Sequence, residues 1–259
     1  MPVRNLIQSN FSKSAATYNS YAVVQMQAAS HLFTDLEREA HNLPAGDVLE
    51  IGCGTGFLTI QLAQLFPDRQ CEITDIAPRM LDICKQRPEL QSSQLHFREI
   101  DAESFLQDKQ FALVASSFAM QWLPDANALV RRVVDQLIPG GKLIFSVPSE
   151  KSFPEWKTAC RAAGVPYTGN KLPDIDSMGE CFESIAAARY RLFEDSYTLS
   201  FPSILEFFRS LKMTGASTQV GGIKLTLREF HRLVKTAQLT DPARFVATYH
   251  VLRAVVQKL

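Results

Sequence analysis

The chain has 259 residues, 46% of them hydrophobic, with 27 basic and 27 acidic side chains. That length and apolar content fit one large domain with a substantial core, and the balanced charge gives no reason to expect nucleic-acid binding by net charge. No apolar run reaches about 18 residues and residues 1–10 lack a signal-like apolar segment, so a cytoplasmic protein with no membrane span is expected.

The elements follow in chain order. Residues 11–18 read as a short helix or turn and 21–39 as a longer helix, together an N-terminal helical segment over 1–40. From 45 to 148 the pattern alternates. Apolar β-rich runs at 47–51, 70–74, 95–100, 111–117 and 142–147 are separated by helical stretches near 56–66, 78–87 and 125–137. That rhythm predicts an α/β fold with a mostly parallel sheet and helices on both faces. Pro139-Gly140-Gly141 marks a break before the fifth strand. Beyond Pro148 the rhythm stops. Helix and loop fill 149–185, interrupted by Pro154, Pro166 and Pro173, and a strand follows at 190–200. Helices at 203–213 and 226–238 precede a closing strand at 245–257, so 149–240 reads as lid insertions around a late strand within a single domain.

The first strand runs into Glu50-Ile51-Gly52-Cys53-Gly54-Thr55-Gly56 and then re-enters a helical pattern. Glycines between a strand and a helix start let backbone approach a ligand closely, a cradle for a nucleotide-like cofactor. No Gly-Lys-Ser/Thr follows, which disfavours a phosphate-binding loop, and Glu50 suits a cationic ammonium or sulfonium better than a pyrophosphate. Asp75 ends the second strand, where an acid binds ribose hydroxyls. Asp101 closes the third, where a carboxylate accepts from an adenine amino group. Each acid alone has a plain alternative as a helix cap or solvated loop residue. Three at successive strand ends describe adenine, ribose and a charged amino-acid tail, the parts of S-adenosylmethionine. The five cysteines include no Cys-x-x-Cys pair and no metal spacing, so reduced thiols and no metal site are expected.

On these residues, 45–148 resemble the class I S-adenosylmethionine-dependent methyltransferases, whose Rossmann-like sheet has seven strands. The resemblance implies that Gly52, Cys53, Gly54 and Gly56 pass under the methionine moiety, and that Asp75 holds the ribose. It further implies that Ile76 and Met80 flank the adenine, that Asp101 and Ala102 address its edge, and that Ser117 lies at the cofactor. The stretch after the fourth strand, Ser116-Ser117-Phe118-Ala119-Met120-Gln121-Trp122, lacks the Asn/Asp-Pro-Pro-Tyr/Phe of nucleic-acid amine methylases. It is similar instead to the Asn-Leu-Ala-x-Gln-Trp segment of the malonyl-acyl-carrier-protein O-methyltransferases of biotin synthesis, with Ser117-Phe118 in place of Asn-Leu. Phe11 to Tyr18, Arg209 to Ala216, and Thr248-Tyr249-His250 also resemble that family.

The resemblance implies methylation of the free carboxylate of a malonyl thioester carried by acyl carrier protein. A carboxylate is ionised at neutral pH and attacks the sulfonium methyl without a general base. Positioning residues are expected instead: Arg209 and Lys212 as a carboxylate clamp, Tyr18 over the cofactor or substrate, Gln121 and Trp122 at the acceptor mouth. Residues 185–259 hold 11 basic against 5 acidic side chains, and Arg189, Arg191, Lys224, Arg228, Arg232 and Lys235 are candidates for docking an acidic carrier. The alternatives are a methyltransferase of another small acid or of a quinone, a non-catalytic cofactor-binding protein, and a dehydrogenase.

Overall fold

The computed structural model describes residues 3–102, 109–185, 188–218 and 223–259. Two helices open the chain, α1 (Val3–Tyr21) and α2 (Val23–Ala40). They meet at Ala22, whose ψ of 44° departs from helical geometry, while Ala22 N–H still donates to the Tyr18 carbonyl. Alternation then follows: β1 (Val48–Ile51), α3 (Phe57–Leu65), β2 (Cys71–Asp75), α4 (Pro78–Lys85), β3 (Leu95–Glu99), β4 (Phe111–Ser117), α5 (Ala126–Asp135) and β5 (Leu137–Pro148). The remainder is α6 (Pro154–Ala163), α7 (Ile175–Glu183), β6 (Ala188–Phe201), α8 (Ile204–Met213), α9 (Leu227–Thr240) and β7 (Phe245–Lys258).

These strands form one seven-stranded sheet in the order β3-β2-β1-β4-β5-β7-β6. The first five are parallel; β7 runs antiparallel between β5 and β6. The strand order reverses at β1, so the carboxyl ends of β1 and β4 open the crevice where ligands bind in such sheets. β1 and β2 are buried along their whole length, as parallel strands covered on both faces must be. One face is packed by α2, α3 and α4 through Leu32, Leu36, Leu58, Leu62, Leu81 and Cys84. The other is packed by α5 and α7 through Leu129, Val133, Val134, Met178 and Phe182. A third cluster, with Trp156, Phe207, Leu233, Phe245 and Tyr249, joins α6, α8 and α9 to the ends of β6 and β7. This is the lid.

Three expectations need correction. Residues 11–18 are the second half of a 19-residue helix rather than a short turn. Pro139-Gly140-Gly141 does not precede β5 but lies inside it: the register jumps from Phe111 opposite Leu137 to Leu113 opposite Lys142. Gly140 takes φ +78° there, a bulge that strand pairing tolerates. Pro154 starts α6 rather than interrupting a segment, because a proline at the first helical turn needs no donor.

Candidate active site

Two adjoining cavities lie at the carboxyl edge of the sheet. The first, about 160 Å³, is floored by the turn after β1. Gly52 has φ +73° and Gly54 φ +54°, and a Cβ on Gly52 would stand 2.2 Å from Ala119 Cβ. Gly52 and Cys53 both donate N–H to the Thr74 carbonyl, which ties the turn to β2. A Cβ on Gly54 would meet nothing within 4 Å, since that residue faces open cavity. Gly56 does not line the cavity. It caps α3 at φ +96° and lies where a Cβ would press on Cys84 Sγ at 2.9 Å.

Glu50 is buried, and its Oε2 has no hydrogen-bond partner. Burial pushes its carboxyl well above the usual range, opposed by a hydrogen bond with Thr59. An orphaned buried carboxylate oxygen costs free energy that a cationic ligand would recover. Asp75 accepts from Gly54 N–H and Ala77 N–H, each at 2.8 Å. Desolvation nevertheless raises its pKa to about 6. Ile76, Met80, Asp101, Ala102 and Ser117 line the same cavity. Ser117 Oγ lies 3.1 Å from Ser146 Oγ, and Asp101 is paired with Arg4 Nε at 2.8 Å. These residues fit S-adenosylmethionine: an orphaned carboxylate oxygen for its cation, a second acid at a strand end for hydroxyls, and a turn whose Gly54 leaves open space beside the backbone.

Apart from Tyr18, the residues that roof this cavity were not anticipated from the sequence. Val3, Arg4, Ile7, Phe11 and Tyr18 of α1 and Gln25 and Ala29 of α2 close the first cavity. Thr55 Oγ1 donates to Asn19 at 2.6 Å and fastens α1 to the glycine turn.

The second cavity, about 460 Å³, lies beneath the lid. Tyr18, Gln25, Phe11, Phe118 and Trp122 border both cavities and form the wall between them. Phe118 and Phe153, the non-glycine residues at positive φ among those described, both line the second cavity. Such backbone is costly and persists where surrounding structure enforces it, often at working sites. Gln121 Nε2 donates to the Phe118 carbonyl at 2.7 Å, which holds the strained turn. Trp122 meets Phe11 edge-on at 5.3 Å. Among the described residues no His, Asp or Glu lines this cavity, whose charged side chain is Lys224. Three phenols line it, Tyr18, Tyr167 and Tyr249, and burial raises the pKa of all three. The Asp75 charge raises that of Tyr18 further.

Arg209 and Lys212 are not brought to the site. Neither lines either of these two cavities; Arg209 is 60% exposed and lies 3.6 Å from Glu206. The apolar stripe Ile204, Phe207 and Leu211 turns one side of α8 inward, so positions 205, 209 and 212 face outward. The motif around them matters through its other members. Leu211 and Ala216 line the second cavity. Gly215, at φ +76°, leaves room for α1: a Cβ there would meet Ser14 Oγ at 2.8 Å and Phe11 Cα at 3.2 Å.

The sequence matches the methyltransferase-domain family model over residues 48–141. A malonyl-acyl-carrier-protein O-methyltransferase from Magnetococcus marinus is 30% identical over 249 residues, covering 95% of this chain and 90% of the relative. The chain belongs to the malonyl-acyl-carrier-protein O-methyltransferase family. The enzyme of that name from Bacillus cytotoxicus is 28% identical over 98% of this chain and 92% of its own length, so the likeness to the family includes the lid as well as the nucleotide core. Among solved structures, YcgJ from Bacillus subtilis superimposes with a TM-score of 0.60 at 15% identity, covering 88% of this chain and 98% of that one. The plantazolicin methyltransferase BpumL, solved with SAH and a pentazolic desmethylPZN analogue, gives 0.58 at 13%, covering 99% and 95%. These two establish the shared fold.

Proposed function

We propose that this protein is an S-adenosylmethionine-dependent methyltransferase that esterifies the free carboxylate of a malonyl thioester on acyl carrier protein. The observation that carries the acceptor assignment is the chemistry of the second cavity: hydrogen-bond donors and aromatic walls, with no carboxylate or imidazole base among the described residues. S-adenosylmethionine supplies an electrophilic methyl group. Glu50 and Asp75 would hold the cofactor's charged tail and ribose, with Met80, Ile76 and Asp101 around its base.

An acceptor that is already an anion needs to be aligned and stripped of water. Fixing two reactants in a near-attack arrangement is worth about 7–11 kcal/mol. Tyr18 and Tyr249 are phenols, protonated at neutral pH even without the further rise that burial brings, so both can donate to a carboxylate. Phe11, Phe118 and Trp122 exclude water between the cavities. A ring-carbon acceptor would require a base within hydrogen-bond reach. The test is a comparison of methyl transfer to malonyl-carrier protein, aconitate and a quinone under one set of conditions. Turnover of the malonyl thioester alone is expected; preferential turnover of the quinone would overturn the reading.

A further inference from the structure

Helix α9 stands at the rim of the second cavity. Lys224, Leu225, Thr226, Leu227 and Phe230 line that cavity. The inner side of the helix is anchored by Leu233 and Ala237, and it packs on α6 and α8. Its outer side carries Arg228, Arg232 and Lys235 at the i, i+4, i+7 spacing of one stripe, all exposed. Arg232 also donates to the Gly164 carbonyl at the end of α6. The one acid within α9, Glu229, is held in a capping box with Thr226. Leu227 is 78% exposed beside this stripe.

The other basic candidates fall elsewhere. Arg189 pairs in register with Gln257, and Lys142 at the amino-terminal side of β5 pairs with the same Gln257, so Arg189 lies at the opposite edge of the sheet from the cavities. Arg191 is taken up in an ion pair with Glu39.

We infer that the outer face of α9 docks the acidic acyl carrier protein, with Arg228, Arg232 and Lys235 meeting carrier carboxylates and Lys224 at the cavity mouth meeting the phosphate of its pantetheine arm. The inference rests on the malonyl-thioester reading. It commits to a carrier because the cationic stripe and the exposed leucine flank the entrance to a cavity suited to an acyl chain on a tether. A nucleic-acid surface would have no use for that juxtaposition.

Arg228→Glu/Lys235→Glu, which alters no cavity residue, separates docking from chemistry when tested on two substrates. With malonyl-carrier protein kcat/KM should fall at least about tenfold, chiefly through KM, and the decline of the unaltered enzyme's kcat/KM with added salt should flatten. With malonyl-pantetheine, which has no carrier, kcat/KM should stay within about twofold. An unchanged rate on the carrier substrate, or an equal loss on both substrates, overturns the docking surface alone. Stronger inhibition of the unaltered enzyme by a DNA duplex than by excess malonyl-free carrier also overturns it. Failure of the unaltered enzyme to methylate either thioester overturns the functional reading, and the docking with it.

Discussion

At the scale of single residues, the site is governed by two buried acids, Glu50 and Asp75, that form no ion pair among the described residues. Glu50 Oε2 lacks a partner, and desolvation dominates both Glu50 and Asp75. A cationic ligand should therefore draw much of its affinity from Glu50. Charge-assisted hydrogen bonds contribute about 1.5–3 kcal/mol, so Glu50→Gln should weaken S-adenosylhomocysteine binding by roughly 10- to 100-fold in calorimetry. An unchanged Kd would mean the carboxylate is not a ligand. For Asp75 the pH sign is definite. Its folded pKa of about 6 lies above the ordinary 3.8, so the folded protein holds the extra proton between these values. Its contribution to stability then falls as pH rises through that window. Ribose hydroxyls donate to the ionised form, so cofactor affinity should climb as pH passes about 6, and Asp75→Asn should remove that step. A wild-type affinity showing no such step would contradict the assignment.

The neighbouring glycines separate fold from ligand. Gly52→Ala drives a Cβ into Ala119 and should destabilise the protein by at least about 2 kcal/mol in denaturant unfolding. Gly54→Ala meets no atom, so the left-handed backbone should cost only about 1–2 kcal/mol while the new methyl occupies the ligand's space. Its signature is a folded protein with little cofactor affinity. Equal effects of the two substitutions on folding would refute this division.

At the scale of elements, α1 is the least conventional piece. Within it only Ile7, Ser14 and Ala15 are buried, because its inner face roofs a cavity instead of covering a core. Its cavity side is a thin stripe, Val3, Ile7 and Phe11 four residues apart among mostly polar neighbours, which is why its first half was not legible in the sequence. The five parallel strands and three intervening helices were legible, since each must bury apolar side chains at strict spacing. Glu50, Asp75 and the glycines could be read for a related reason: strand ends and turns restrict which residues serve there. Arg209 and Lys212 show the opposite case. Their charges stand out in the motif, whereas the helical period of Ile204, Phe207 and Leu211 places them outward. The role of Gly215 emerges only in three dimensions, where it receives Phe11 and Ser14. Gly215→Ala should loosen α1, raising hydrogen exchange along residues 11–18 about tenfold, with a higher KM for both substrates. Unchanged exchange there would detach Gly215 from the roof.

At the scale of the whole molecule, the sheet places a cation-seeking cavity over β1 and β2 and an aromatic, donor-rich cavity under the lid, with Tyr18 and Phe118 in the wall they share. In the proposed reaction, methyl donor and anionic acceptor would approach that shared wall from opposite sides. The acceptor in that proposed reaction is the malonyl carboxylate. Intact-protein mass spectrometry of malonyl-carrier protein, incubated with the enzyme and S-adenosylmethionine, tests it most directly. A gain of one methylene mass on the carrier-bound acyl group is expected. No gain on that carrier, under conditions where another small acid or a quinone is methylated, would contradict it.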